Sequence, residues 1–101
     1  MDRKIVWPRK TMITKYGYAV ETNTAAGYMQ YNVVDFKHAS LPREYSPLTV
    51  YVGNSLIKAK CLIKSLEEID NSLPTEWKKE LSREAEAGWN KCEVLYKKMQ
   101  R

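Results

Sequence analysis

The single histidine, His38, and the two cysteines, Cys61 and Cys92, are the side chains from which a thiol–imidazole nucleophile could be built in this chain. Such a pair needs both groups within hydrogen-bond reach and a third group to orient the base. His38 falls in a loop, residues 37–47, that carries Pro42 and Pro47, whereas both cysteines fall on predicted helices. Nothing local brings them together. Structural zinc sites use ligands paired at short spacing, and Cys61 and Cys92 each stand alone. A phosphate-cradling loop needs clustered glycines, but Gly17, Gly27, Gly53 and Gly88 are scattered. Glu67 with Glu68, and Glu84 with Glu86, read as solvated helix faces. The expectation is a chain that is not an enzyme, with no catalytic residue, no metal and no cofactor.

Binding chemistry is better represented. Three tryptophans and seven tyrosines accompany a net charge of +5, with 17 Lys and Arg against 12 Asp and Glu. Trp, Tyr, Met and Arg are favoured interface anchors. Trp89, Tyr96, Met99 and Arg101 gather toward the carboxy end, beside Lys97 and Lys98. At the amino end, Arg3, Lys4, Trp7, Arg9 and Lys10 form a basic arm opposed by Asp2 alone. These nine residues are the candidate partner contacts. Tyr16, Tyr18 and Tyr31, if exposed on a sheet, could instead stack single-stranded bases.

The element that must position the first group is the last one. With Leu81 as origin and about 100° per residue, Trp77, Leu81, Ala85, Gly88, Trp89, Cys92, Leu95, Tyr96 and Met99 share an arc of about 120°. That predicts one helix over residues 75–99, roughly 37 Å long. A globule of this chain length has a radius of gyration of only about 13 Å. The helix therefore spans the domain or overhangs it, and the expected overhang carries Trp89, Tyr96 and Met99. Ala85, Gly88 and Cys92 would admit a close neighbour, for which the preceding helix is the candidate.

Ahead of it, residues 1–11 read as the basic arm, in which Ile5-Val6-Trp7 could add an edge strand ended by Pro8. Residues 12–53 read as a three-stranded antiparallel sheet. Met12 to Thr22 alternates as a strand, with Met12, Thr14, Tyr16, Tyr18 and Val20 on one face. Asn23 to Gly27 turns the chain, Tyr28 to Phe36 returns it, and Leu48 to Val52 follows with Leu48, Val50 and Val52 inward. Residues 54–70 form a helix opened by Ser55, and Pro74 or Thr75 opens the next. The fold class is α+β, one domain, a three-stranded sheet followed by two helices.

With 29% charged and 44% hydrophobic residues, the mix is that of a folded domain. No apolar run approaches a membrane span, and Ile5-Val6-Trp7 is too short for a secretory core. The expected location is the cytoplasm of the producing or host cell, with both thiols free and no membrane partner.

The segment Ser55-Leu56-Ile57-Lys58-Ala59-Lys60, with Leu66 beyond, resembles the closing helix of double-stranded-RNA-binding domains, which also place three strands before it. That family's two phosphate-contacting lysines correspond to Leu56 and Ile57, and its preceding helix is missing. The likeness is one of strand-then-helix order. As a type, the chain is similar to the short single-domain accessory and inhibitor proteins of bacteriophages. That resemblance implies a host nucleic-acid-processing or defence complex as target. The expected function is thus a non-enzymatic protein-binding module, an inhibitor or modulator docking on a larger protein that acts on nucleic acid. The alternative is direct DNA or RNA binding through the arm and the sheet tyrosines. Self-association is left open.

Overall fold

Asn23 and Gly27 set the first turn. The Asn23 side chain accepts from the Ala25 N–H at 2.7 Å, and Gly27 takes a φ of 88° while its N–H reaches the Thr24 carbonyl. The strands they join pair antiparallel, β2 (Tyr18–Asn23) with β3 (Gln30–Asp35), in a register running from Tyr18↔Asp35 to Asn23↔Gln30. The computed structural model describes residues 5–37 and 47–99, with the side chains of Leu95 and Met99 outside the description. Within it the sheet has four strands in the order β1-β2-β3-β4. Three strands were expected. The addition is β1 (Ile5–Val6), which pairs with Asn23 and Thr22 of β2 before Pro8 removes the next backbone donor. On the other side lies β4 (Leu48–Tyr51).

Two further expectations change. Met12 to Thr22 is not one strand, because Lys10–Met12 forms a 3-10 turn and residues 14–17 form a tight loop. Thr14 builds that loop: its N–H donates to the Tyr18 carbonyl, its Oγ1 accepts from the Tyr18 N–H, and its carbonyl accepts from Gly17. Gly17 closes it with a φ of 91°, a conformation that side chains disfavour. In β4, the register shifts between Val33 and Val34, leaving Val50 unmatched between Thr49 and Tyr51. Alternation fails across such a bulge. Leu48, Val50 and Val52, expected inward, are exposed.

Paired residues share a sheet face. Tyr18, Val20, Val33 and Asp35 therefore lie on one face and Ala19, Glu21, Asn32 and Val34 on the other. The first face receives α1 (Leu56–Asn71), whose N-cap Ser55 accepts from the Lys58 N–H and whose Ala59 is fully buried. The chain reverses at 72–74, through Ser72 and Leu73 N–H bonds to Ile69 and Asp70, and a trans Leu73–Pro74 bond. Then α2 (Thr75–Met99) carries Trp89 and Cys92 to the second face, against Ala19, Val34 and Phe36. The result is helix, sheet, helix in three layers. The small residues of α2 do admit a close neighbour, but it is the sheet and not α1. A Cβ built on Gly17 would come within 2.8 Å of the Ala85 Cβ.

A buried ammonium ties the α1 layer to the sheet. Lys37 is 4% exposed at its side chain; its Nζ donates to the Tyr16 carbonyl at 2.6 Å and lies 3.2 Å from Asp35 and 3.9 Å from Asp70. It also sits 3.8 Å from the centroid of the Tyr18 ring. Tyr18 Oη donates to Asp70 at 2.8 Å, and Tyr16 Oη donates to Asn71 at 2.7 Å. The end of α1 is thereby bound to the start of β2 and the end of β3.

Two outcomes follow for stability. Lys37→Met leaves two carboxylates without their buried cation and should cost about 3–5 kcal/mol, read as a lowered urea midpoint. Gly17→Ala meets both a disfavoured backbone and the wall of α2, and should cost more than about 1 kcal/mol in the same assay.

Candidate docking surface

Along α2, burial begins late. Ala85, Gly88, Trp89 and Cys92 are buried, whereas no side chain from Thr75 to Glu84 is. The molecule measures 47 × 29 × 22 Å, so a helix of roughly 37 Å exceeds both shorter dimensions. Its amino-terminal half is the more exposed, with Lys78, Leu81 and Ser82 half-buried, and its carboxy-terminal half lies on the core. The sequence pattern pointed the other way.

Trp89, expected as a docking anchor, is 7% exposed and belongs to the core. Its indole meets the Phe36 ring edge-on with centroids 5.5 Å apart, and Tyr96 leans on its far side at 6.3 Å. Tyr96 is half-buried. Met99 ends α2, and its side chain, like all of Arg101, lies outside the described residues. Arg3 and Lys4 lie outside them as well, as does His38. Trp7 is half-buried after β1, and Arg9 and Lys10 are exposed. Lys10 reaches Glu86 of α2 at 3.8 Å, an ion pair between exposed groups that adds little stability. Among the described candidates, Lys10 lies beside α2 while Trp89 lies in the core, so these two do not share an exposed patch.

Trp77 was read as part of the buried stripe, yet it is 65% exposed. With Leu81, Glu76, Glu80 and Glu84, all on α2 itself, it lines a shallow, open groove along the helix face. The spacing was visible in the sequence: Trp77 and Leu81 are four apart, and so are the three glutamates. Residues four apart share a helix face. Arg83 pairs with Glu80 at 2.8 Å on the surface, and neither Glu76 nor Glu84 has an ion-pair partner among the described residues. A second apolar groove, about 460 Å³, opens between α1 and the sheet and is lined by Val20, Tyr31, Leu56 and Ile63.

Of the three tyrosines expected as a stacking platform, Tyr31 is half-buried at the groove beside α1. Tyr16 and Tyr18 are buried, and their hydroxyls are engaged by α1. Burial, then the hydrogen bond to Asp70, pushes the Tyr18 pKa upward. Cys92 is a buried thiol pushed up to about 12 by desolvation, slightly offset by Lys91, while Cys61 is exposed. Among the described residues no three His, Cys, Asp or Glu side chains group to hold a metal, and no helix is long and apolar enough to cross a membrane.

One acid is buried beneath α2's side of the sheet. Glu21 accepts from the Asn32 amide at 3.1 Å, and Asn32 Oδ1 has no hydrogen-bond partner among the described residues. Burial raises the Glu21 pKa, with the Asn32 bond opposing it. Searches of family models, curated proteins and solved structures find no match to the chain.

Because the Glu21 pKa is raised on folding, the folded chain holds that proton more tightly than the unfolded one. Stability is therefore greater below the ordinary carboxylate range and falls as pH rises through the raised value. Glu21→Gln removes that loss, and its amide can serve Asn32 Oδ1 as well. The variant should be more stable than the native chain at neutral pH, with the difference shrinking in acid, measured by urea unfolding across pH.

Proposed function

We propose that this chain is a non-catalytic protein-binding module that docks on a larger assembly, as the short phage-encoded modulators it resembles in type would do. The single observation that supports this reading is the exposed amino-terminal half of α2, with Trp77 in its first turn. An exposed indole beside a half-buried leucine is apolar surface left in water, and its contact with a partner would recover that loss. Tryptophan is among the side chains that dominate binding energy once desolvated. The anchor of the reading is thus Trp77, while Trp89 supports the fold.

A partner that acts on nucleic acid fits the charge pattern. Such proteins present basic faces, and the Trp77 groove is rimmed by Glu76, Glu80 and Glu84. Direct nucleic-acid binding is the competing reading. It would rest on Arg9, Lys10 and Lys15, which are exposed, without help from Tyr16 or Tyr18.

A tagged full chain and its Trp77→Ala variant, incubated with nuclease-treated lysate of the producing or host cell, should differ. The native chain should recover a stoichiometric protein partner by mass spectrometry, and the variant should lose it while melting at the same temperature. Recovery of no partner, together with a shift of bare DNA or RNA that weakens steeply with salt, would give the function to the competing reading.

A further inference from the structure

The groove on α2 also indicates what kind of partner it takes. We propose that it receives a cationic amphipathic segment of the partner protein, with an apolar side chain against Trp77 and Leu81 and Lys or Arg side chains on Glu76, Glu80 and Glu84. This rests on the protein-binding reading above and adds the chemistry of the partner.

The glutamates recur every four residues, so their carboxylates climb one edge of the helix at about 6 Å per step. Cations one turn apart on a facing helix would meet them in sequence. The first, Glu76, is also accounted for by the positive end of the helix dipole, which favours acids in the first turn. Glu80 and Glu84 lie beyond that turn. The chain as a whole carries +5, and residues 75–84 balance Glu76, Glu80 and Glu84 against Lys78, Lys79 and Arg83, yet the charged side chains that line the groove itself are all acidic. Among the described residues two of the three carboxylates have no ion-pair partner, and the third is held by exposed Arg83, a pair that yields at little cost. A phosphate backbone or an anionic lipid surface would be repelled at this rim. A neutral apolar peptide would fill the groove but leave the carboxylates unanswered.

The test uses the full chain and three dye-labelled synthetic peptides: an amphipathic Lys/Leu helix, a Glu/Leu counterpart, and a Lys/Ser peptide of equal charge without an apolar face. Fluorescence anisotropy should show the Lys/Leu peptide bound at least about ten-fold more tightly than either of the others. Trp77→Ala and the double variant Glu76→Gln with Glu84→Gln should each weaken it by about ten-fold. All three substituted positions are exposed, and circular dichroism with thermal melting confirms the variants are folded. Equal affinity for Lys/Leu and Lys/Ser peptides, or binding unchanged in both variants, overturns the proposal. If no peptide binds and sedimentation shows a dimer that Trp77→Ala dissolves, the groove belongs to a second copy, and the cationic segment is overturned as its occupant. Loss of a lysate partner in Trp77→Ala without Lys/Leu binding overturns only the partner chemistry. Loss of neither overturns the protein-binding reading with it.

Discussion

The arrangement depends on one buried cation. Lys37 places its ammonium among the Tyr16 carbonyl, Asp35, Asp70 and the face of Tyr18, with almost no contact with water. An ammonium in such a place is tolerable only when its partners are fixed, and the same holds for the carboxylates around it. These partners come from three parts of the chain: the loop before β2 together with the first residue of β2, the end of β3, and the end of α1. Satisfying the charge therefore fixes three segments at once. It also decides where α1 stops, since Asp70 and Asn71 are both held by tyrosine hydroxyls.

From that point the rest of the layout follows. The reversal at 72–74 takes the chain off the first sheet face, and α2 needs about half its length to bring Ala85, Trp89 and Cys92 over the second. The close approach of Ala85 to Gly17 sets the height at which α2 crosses. The residues that precede that crossing, 75–84, are exposed or half-buried. The exposed half of the helix is thus a geometric result of covering both faces of a small sheet with helices joined by a three-residue link.

Much of this was legible in the sequence. The stripe from Trp77 to Met99 gave one long helix, Asn23 to Gly27 gave the hairpin, and Ser55 gave the start of α1. The misses share a cause. Periodicity places Trp77 and Trp89 on one side of a helix, yet it is silent on which portion of that side meets the sheet. Alternation through Met12 to Val20 hides a loop whose closure depends on Gly17 and on the hydroxyl of Thr14. Alternation in Leu48 to Val52 likewise hides a bulge. Both are decided by non-local pairing: the Gly17 carbonyl accepts from Phe36, nineteen positions on. For the candidate site the signal was present, in glutamates four apart beside a Trp–Leu pair, but it was subsumed in the longer stripe.

The junction at Ser72–Pro74 has a bearing on recognition. Trp77 stands within the first turn of α2, only a few residues past side chains that hydrogen-bond to Tyr16 and Tyr18. Its backbone is ordered before any encounter, so a visitor finds a rigid perch and not a strand of chain that must first be organised. The entropy that a mobile tail would surrender on contact has here been given up during folding. In the docking proposed above, an indole mounted so close to that junction would let a modest contact area suffice.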